Sequence, residues 1–186
     1  MKSRPAFPAK LDLDAGKPKP TKRSQAAQSS VPPVQGLGLD SQAVRLRMVQ
    51  RLQQEGIEDA MVLKSMSEIE RHRFVDSALV NQAYEDTSLP IGLGQTISKP
   101  SVVSRMIALL REGRNLRANG KLGRVLEIGT GAGWGTAIIA GLCTKVYTVE
   151  RFRTLADLAF ERFSTLALDN VVPSVHDGLE GFPRHA

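Results

Sequence analysis

Arg124-Val125-Leu126-Glu127-Ile128-Gly129-Thr130-Gly131-Ala132-Gly133 decides the fold. Val125-Leu126-Glu127-Ile128 reads as a short apolar strand, and it runs directly into glycines at every second position. A helix over about 133–142 follows. Lys145-Val146-Tyr147-Thr148-Val149-Glu150 is then a second strand. A helix over about 152–168 carries Leu155, Leu158, Ala159, Phe163 and Leu166 on one face, and 171–175 is a third strand closed by His176-Asp177-Gly178. Strand, helix, strand, helix, strand predicts an α/β fold: a parallel sheet with right-handed crossovers and helices on both faces.

The chain upstream is helical in texture. Val44, Met48, Val49 and Leu52 recur at helical spacing, with Asp40 or Ser41 as N-cap and Gly56 as the stop. A second helix is predicted from about Asp59 through Ile69, and a short third one over about 76–83. Residues 84–99, broken by Pro90, Gly92 and Gly94, read as irregular. Pro100 stands at the first turn of a helix running to about Glu112, and Gly113, Asn119, Gly120 and Gly123 mark a loop. Three parts follow: a basic, proline-rich, disordered tail over 1–39, a helical part over 40–113, and the α/β part over 120–186.

Charge divides the chain in the same way. Its formal charge is +6, but residues 1–35 carry seven Lys or Arg against two Asp, and the remaining 151 residues carry eighteen basic against seventeen acidic groups. The basicity belongs to the tail, so the body offers no electropositive face, and nucleic acid is not an expected partner. Aromatic residues at 5% are too sparse for a base-stacking platform. No apolar run approaches the length of a membrane span, and no secretory h-region opens the chain. The one cysteine, Cys143, reads as a small apolar helix residue and fits a reducing compartment. A cytoplasmic monomer, not bound to a membrane, is the expectation. The three histidines, 72, 176 and 185, are scattered, and no metal is expected.

The glycine turn carries the chemistry. Gly129 and Gly131 permit positive φ and close approach of a ligand to the backbone at the strand's carboxyl end. Glu150 ends the next strand about 20 residues on, where an acidic group takes ribose hydroxyls, and Asp177-Gly178 ends the third strand, where an adenine would border it. The spacing also fits a dinucleotide. A hydride-transfer fingerprint, however, would place its last glycine three residues after the second, and position 134 is Trp. Glu127 would point a carboxylate into the site, which suits the cationic amino-acid end of S-adenosyl-L-methionine and would repel a pyrophosphate. The cofactor expected is S-adenosylmethionine, held by Glu127, Gly129, Thr130, Gly131 and Gly133, with Glu150, Asp177 and Gly178. Trp134, on the first helical turn, is expected to pack.

Upstream lies Ala83-Tyr84-Glu85-Asp86-Thr87-Ser88-Leu89-Pro90-Ile91-Gly92-Leu93-Gly94-Gln95-Thr96-Ile97-Ser98-Lys99-Pro100, preceded by Arg71-His72-Arg73-Phe74-Val75. With the glycine turn, these runs resemble the protein-L-isoaspartate O-methyltransferase family, from about Met48 to Pro183. The resemblance implies a Rossmann-like S-adenosylmethionine-dependent methyltransferase fold with an N-terminal helical subdomain. It implies methyl transfer to the α-carboxylate of L-isoaspartyl residues in damaged proteins and peptides, the chain's expected partners, as a step in protein repair. Ser98 matches the family's active-site serine, which holds the substrate carboxylate without a covalent intermediate. Gln95, Thr96 and Ile97 would line the cleft. From sequence alone, Ser98 before Lys-Pro reads as a helix N-cap as well.

The family's sheet has seven strands, and this sequence stops at Ala186, just after the third. The expectation is a sheet lacking its C-terminal half, with strand 124–128 as an edge and weak or no turnover by this chain. Two other readings stand beside it: a different S-adenosylmethionine enzyme acting on small molecules or RNA, and an inactive remnant or interaction module pairing through the open strand.

Overall fold

The computed structural model describes residues 42–113, 116 and 119–182. The expected tail, the cap at 40–41 and part of the loop after residue 113 lie outside the described residues.

Helix α1 (Gln42–Gln54) buries Arg45, Met48 and Leu52, one face of the expected periodicity. Helix α2 (Ala60–Glu68) starts where the sequence puts it, because the carboxylate of Asp59 accepts from the N–H groups of Met61 (2.9 Å) and Val62 (3.1 Å). Arg111 donates from Nε to the other Asp59 oxygen at 2.7 Å, so one side chain caps α2 and ties it to the far end of helix α3 (Pro100–Glu112). Burial works against the charge on Asp59, but the bonds from Arg111 and the two amides outweigh it and hold the carboxyl below its usual range.

Between α2 and α3 the structure corrects the reading in two places. The short helix expected at 76–83 is a 3-10 turn, Ser77–Gln82, and a second one covers Arg71–Phe74. Residues 84–88 are irregular as expected, but 89–97 are not. Strands β1 (Leu89–Gly92) and β2 (Gln95–Ile97) form an antiparallel hairpin whose two-residue loop, Leu93-Gly94, has positive φ at both positions (53° and 69°). That is a I′ turn, the kind whose twist matches that of the strands it joins. Leucine carries no turn signal, which is why the glycines look like breakers in the sequence.

The α/β part follows the expected order with shifted edges. Strand β3 (Leu122–Ile128) begins before Val125, helix α4 spans Trp134–Leu142, and strand β4 (Cys143–Glu150) starts on the next residue. Cys143 is therefore a strand residue rather than a helical one. It is buried, and burial pushes its thiol up to about 11. Helix α5 (Arg153–Thr165) and strand β5 (Val171–Val175) complete the unit. The sheet is parallel in the order β3-β4-β5, with Ile128 beside Val149 and Glu150 beside Val175. The carboxyl ends of the three strands therefore lie side by side, and β3 stands at one edge with Leu126 and Ile128 exposed. One hydrophobic core runs from Met48, Leu52 and Met66 of the helical part to Ile138, Leu142 and Val146 of the α/β part. The hydroxyl of Ser65 donates to the carbonyl of Ile138 at 2.9 Å across that junction.

Candidate active site

The glycine turn is held from beneath by its neighbouring strand. The amides of Gly129 and Thr130 both donate to the carbonyl of Val149, at 2.8 and 3.1 Å, so the chain leaves β3 pinned to β4. Gly133, at φ 92°, caps α4 in the left-handed region, with the ring of Phe163 where a side chain would stand: a Cβ there would lie 2.7 Å from Cε1. The space above Gly129 is open.

Glu127 projects from the end of β3 into the cleft. Its Oε2 accepts from the hydroxyls of Thr136 and Thr148, the latter at 2.6 Å. Thr148 has one proton and gives it to the carboxylate, so Thr130, 2.7 Å away, donates to Thr148. Burial pushes the Glu127 carboxyl up to about 7. The two threonine hydroxyls pull it back down, and the nearby charge of Glu150 adds to the rise. Oε1 is the atom left for a ligand. It lies 2.9 Å from the position a Cβ on residue 135 would take, so Gly135 keeps room for it.

A cleft of about 420 Å³ lies over this turn. Its polar wall holds Glu127, Gly129, Thr130 and Gly131. The facing wall is Thr96, Ile97 and Ser98, with Trp134 at the base and Met106, Leu110 and Leu126 as apolar flank. The structure thus brings Ser98 and the glycine turn to one cavity although 30 residues separate them. Ser98 is exposed, and its hydroxyl has no hydrogen-bond partner among the described residues. It is not a helix cap. The N-cap of α3 is Lys99, which makes no side-chain capping bond. That task falls to Asp86, whose carboxylate accepts from the N–H and the hydroxyl of Ser101, both at 2.8 Å. Asp86 was missed in sequence because its partner is 15 residues away.

Other expected residues sit close by without lining the cleft. Gly133 is turned to Phe163. Gln95 is exposed on β2. Glu150 is buried beneath the turn, its two oxygens accepting from the amides of Gly131 (2.8 Å) and Phe152 (3.0 Å). Asp177 accepts from the Leu179 amide at 2.9 Å, and Gly178 lies tight against Ile128, where a Cβ would come within 2.4 Å of the isoleucine methyl. The post-β5 segment therefore closes over the tip of β3, beside the cleft. Trp134 is only 1% exposed yet forms part of the cleft wall, so packing and lining are one role.

The fit to a sulfonium nucleotide rests on these donors and acceptors: one carboxylate oxygen facing in, open backbone over Gly129, and no Lys or Arg among the cleft-lining residues to take a pyrophosphate. A glycine turn at the carboxyl ends of parallel strands, with a carboxylate at its root, defines the nucleotide-binding α/β class to which S-adenosylmethionine-dependent methyltransferases belong. The solved structures agree. The chain superposes on a protein-L-isoaspartate O-methyltransferase with a TM-score of 0.65 and 26% identity, covering 76% of this chain and 45% of that one. It also matches the fold of a homologue from Plasmodium falciparum, solved with S-adenosyl-L-homocysteine, at a TM-score of 0.60 and 21% identity, over 75% of this chain and 66% of that one.

Residues 43–186 match the family model for protein-L-isoaspartate(D-aspartate) O-methyltransferase, and the chain belongs to that family. Relatives named protein-L-isoaspartate O-methyltransferase include those of Leptothrix cholodnii, 52% identical over 152 residues, and Methylibium petroleiphilum, 53% over 151, each covering 81% of this chain. The chain spans 52% and 55% of those two proteins' lengths. Among the described residues no helix is long and apolar enough to cross a membrane.

Proposed function

We propose that the chain binds S-adenosylmethionine over the glycine turn and transfers its methyl group to the α-carboxylate of an L-isoaspartyl residue in a damaged protein or peptide. The observation that carries this reading is the single cleft joining Glu127 and Gly129–Gly131 to Thr96–Ser98.

The bound cofactor supplies a methyl group already activated on a sulfonium. Glu127 Oε1 faces its cationic amino-acid end, and Gly129 admits it against bare backbone. Glu150 holds the Gly131 amide from beneath the turn and would accept a ribose hydroxyl from that position. Asp177 and Gly178 border the adenine beside Ile128. Ser98 donates its unpartnered hydroxyl to one oxygen of the substrate carboxylate, and Gln95, Thr96 and Ile97 bound the approach. A carboxylate needs no base to become a nucleophile: the O–C bond forms as the S–C bond breaks, and the two charges cancel. A serine with no histidine partner suits holding rather than attack. The near-neutral charge outside residues 1–35 supports a protein substrate over a nucleic acid. The reading places the chain in the cytoplasm, as a monomer, with no metal.

The test has two stages. Calorimetric titration with S-adenosylhomocysteine should show one site per chain, and methyl transfer should favour an isoaspartyl peptide over its aspartyl twin. Absence of binding, or equal rates on the two peptides, overturns the reading.

A further inference from the structure

Three arginines are buried in the helical part, and one differs from the others. Arg45 pairs with Glu70 at 3.1 Å and Arg111 with Asp59 at 2.7 Å. Arg71, with no exposed surface at all, has no ion pair among the described residues, and its partners are carbonyls. Nη1 donates to Ala83 at 2.6 Å, and Nη2 donates to both Thr87 and Ser98 at 3.0 Å. Its guanidinium lies over the indole of Trp134, with Cζ 5.0 Å from the ring centroid. Burial lowers its pKa to about 10, the charges of Asp86 and Tyr84 opposing the fall.

Neutral carbonyls do not balance a buried charge, and an apolar side chain of similar volume often serves stability as well as a buried ion does. What a planar fork of donors supplies is geometry. Thr87 and Ser98 stand on either side of the β1–β2 hairpin, so the two bonds from Nη2 close its mouth. The same guanidinium rests on the first residue of α4, a wall of the cleft. Ser98 is therefore held by its own carbonyl, at a height measured from the cofactor helix, while its hydroxyl is left unbonded.

We propose that Arg71 is a positioning residue for Ser98: it sets where the serine hydroxyl stands over the cofactor cleft by joining the Ser98 carbonyl to Trp134, and it touches neither ligand. The inference rests on the reading of Ser98 as the group that holds the substrate carboxylate. A lysine at 71 keeps the charge but lacks the planar fork that reaches the three carbonyls at once, so it uncouples position from charge.

The experiment is a double-mutant cycle on the full chain, read by calorimetry. S-adenosylhomocysteine is titrated first, then an isoaspartyl peptide and its aspartyl twin with S-adenosylhomocysteine saturating. Arg71→Lys should keep S-adenosylhomocysteine affinity within about threefold and lower the isoaspartyl preference by about tenfold. Ser98→Ala should lower it similarly, and the double variant should lose no more than Ser98→Ala alone. Additive losses, or a fall in S-adenosylhomocysteine affinity as large as the fall in preference, give Arg71 a merely structural role and overturn the inference. Should Arg71→Lys fail to fold, Trp134→Phe runs the same cycle: a loss of about threefold that vanishes in the Ser98→Ala background supports the inference, and an additive one overturns it. A wild-type chain that binds no S-adenosylhomocysteine, or shows no isoaspartyl preference, brings down the reading of the cleft as well. A failed cycle with wild-type preference intact brings down the Arg71 inference alone.

Discussion

Two glycine-rich turns meet beside the cleft, and they use glycine for different reasons. At 129–133 the demand is steric as well as conformational: Gly133 has positive φ, and the Phe163 ring fills the place of its side chain. At 92–94 a Cβ on either Gly92 or Gly94 would meet nothing within 4 Å, so only backbone conformation is at stake, and Leu93 adopts positive φ without being glycine. The turns touch where Ile91 of the hairpin approaches Gly131, whose added Cβ would lie 3.3 Å from Ile91 Cδ1. One turn is fixed by what packs against it, the other by the strands it joins.

Gly133→Ala should break the first turn outright. The new methyl collides with the Phe163 ring and crowds Ala159, and the residue must keep φ near 92°. A loss of about 2–4 kcal/mol in urea unfolding is expected, with S-adenosylhomocysteine binding lost alongside it. Gly94→Ala has only its backbone conformation to oppose it and should cost about 1 kcal/mol. If the two substitutions cost the same, the distinction between the turns fails.

Asp86→Ala tests how the hairpin side is anchored. It removes the carboxylate that accepts from the Ser101 amide and hydroxyl, which caps the N-terminus of α3. About 1–2 kcal/mol should go. Burial opposes the charge on Asp86, but the Ser101 bonds and the nearby Lys99 and Arg51 charges hold its carboxyl below the usual range. Its contribution is therefore present above the unfolded-state pKa, about 4, and is lost as pH falls through the lower folded value. In urea titrations from pH 6 to 3 the variant should lose less stability than the wild type.

Glu127 sharpens the contrast from the other side, because its shift has the opposite sign. A carboxyl raised to about 7 stabilises the empty fold below its unfolded pKa, and that contribution is lost as pH rises through about 7. A cationic ligand needs the ionised form, so cofactor affinity should rise with pH through the same window, by up to about tenfold per unit below 7. Glu127→Gln should bind S-adenosylhomocysteine more weakly at pH 8 and flatten both profiles. An affinity that falls with pH in the wild type would mean the carboxylate does not face the ligand's amine.

How much of this was legible follows from the range of the contacts. The glycine turn, the three strands and the start of α2 are local: Glu127 and Gly129–Gly133 act within a few residues of themselves or on the next strand, and the helix begins beside Asp59. The family resemblance supplied Ser98. The sequence concealed what spans distance: the Asp86 cap on Ser101, the Arg71 clamp on Ser98, and the turning of Glu150 under the loop rather than into the cleft. Periodicity reports which face a residue buries, not which carbonyl a buried arginine will find. The hairpin was hidden for a different reason, since its decisive residue is a leucine.

That leucine gives the smallest effect and the cleanest one. Leu93 sits at φ 53° in the first position of a I′ turn, with 54% of its surface exposed, so it has little burial to lose. Asparagine is at ease in that conformation and is a preferred residue there, because its short polar side chain tolerates the left-handed region that a branched apolar one resists. Leu93→Asn should therefore stabilise the chain by about 0.5–1 kcal/mol in urea unfolding, an unusual gain for replacing a large apolar residue. Because a substituent at 93 stands clear of the cleft lining, S-adenosylhomocysteine affinity should not move. A loss of stability would show that the Leu93 side chain is covered in solution. A change in affinity would show that the two turns are coupled through the Ile91–Gly131 contact, and that the hairpin helps to shape the glycine turn.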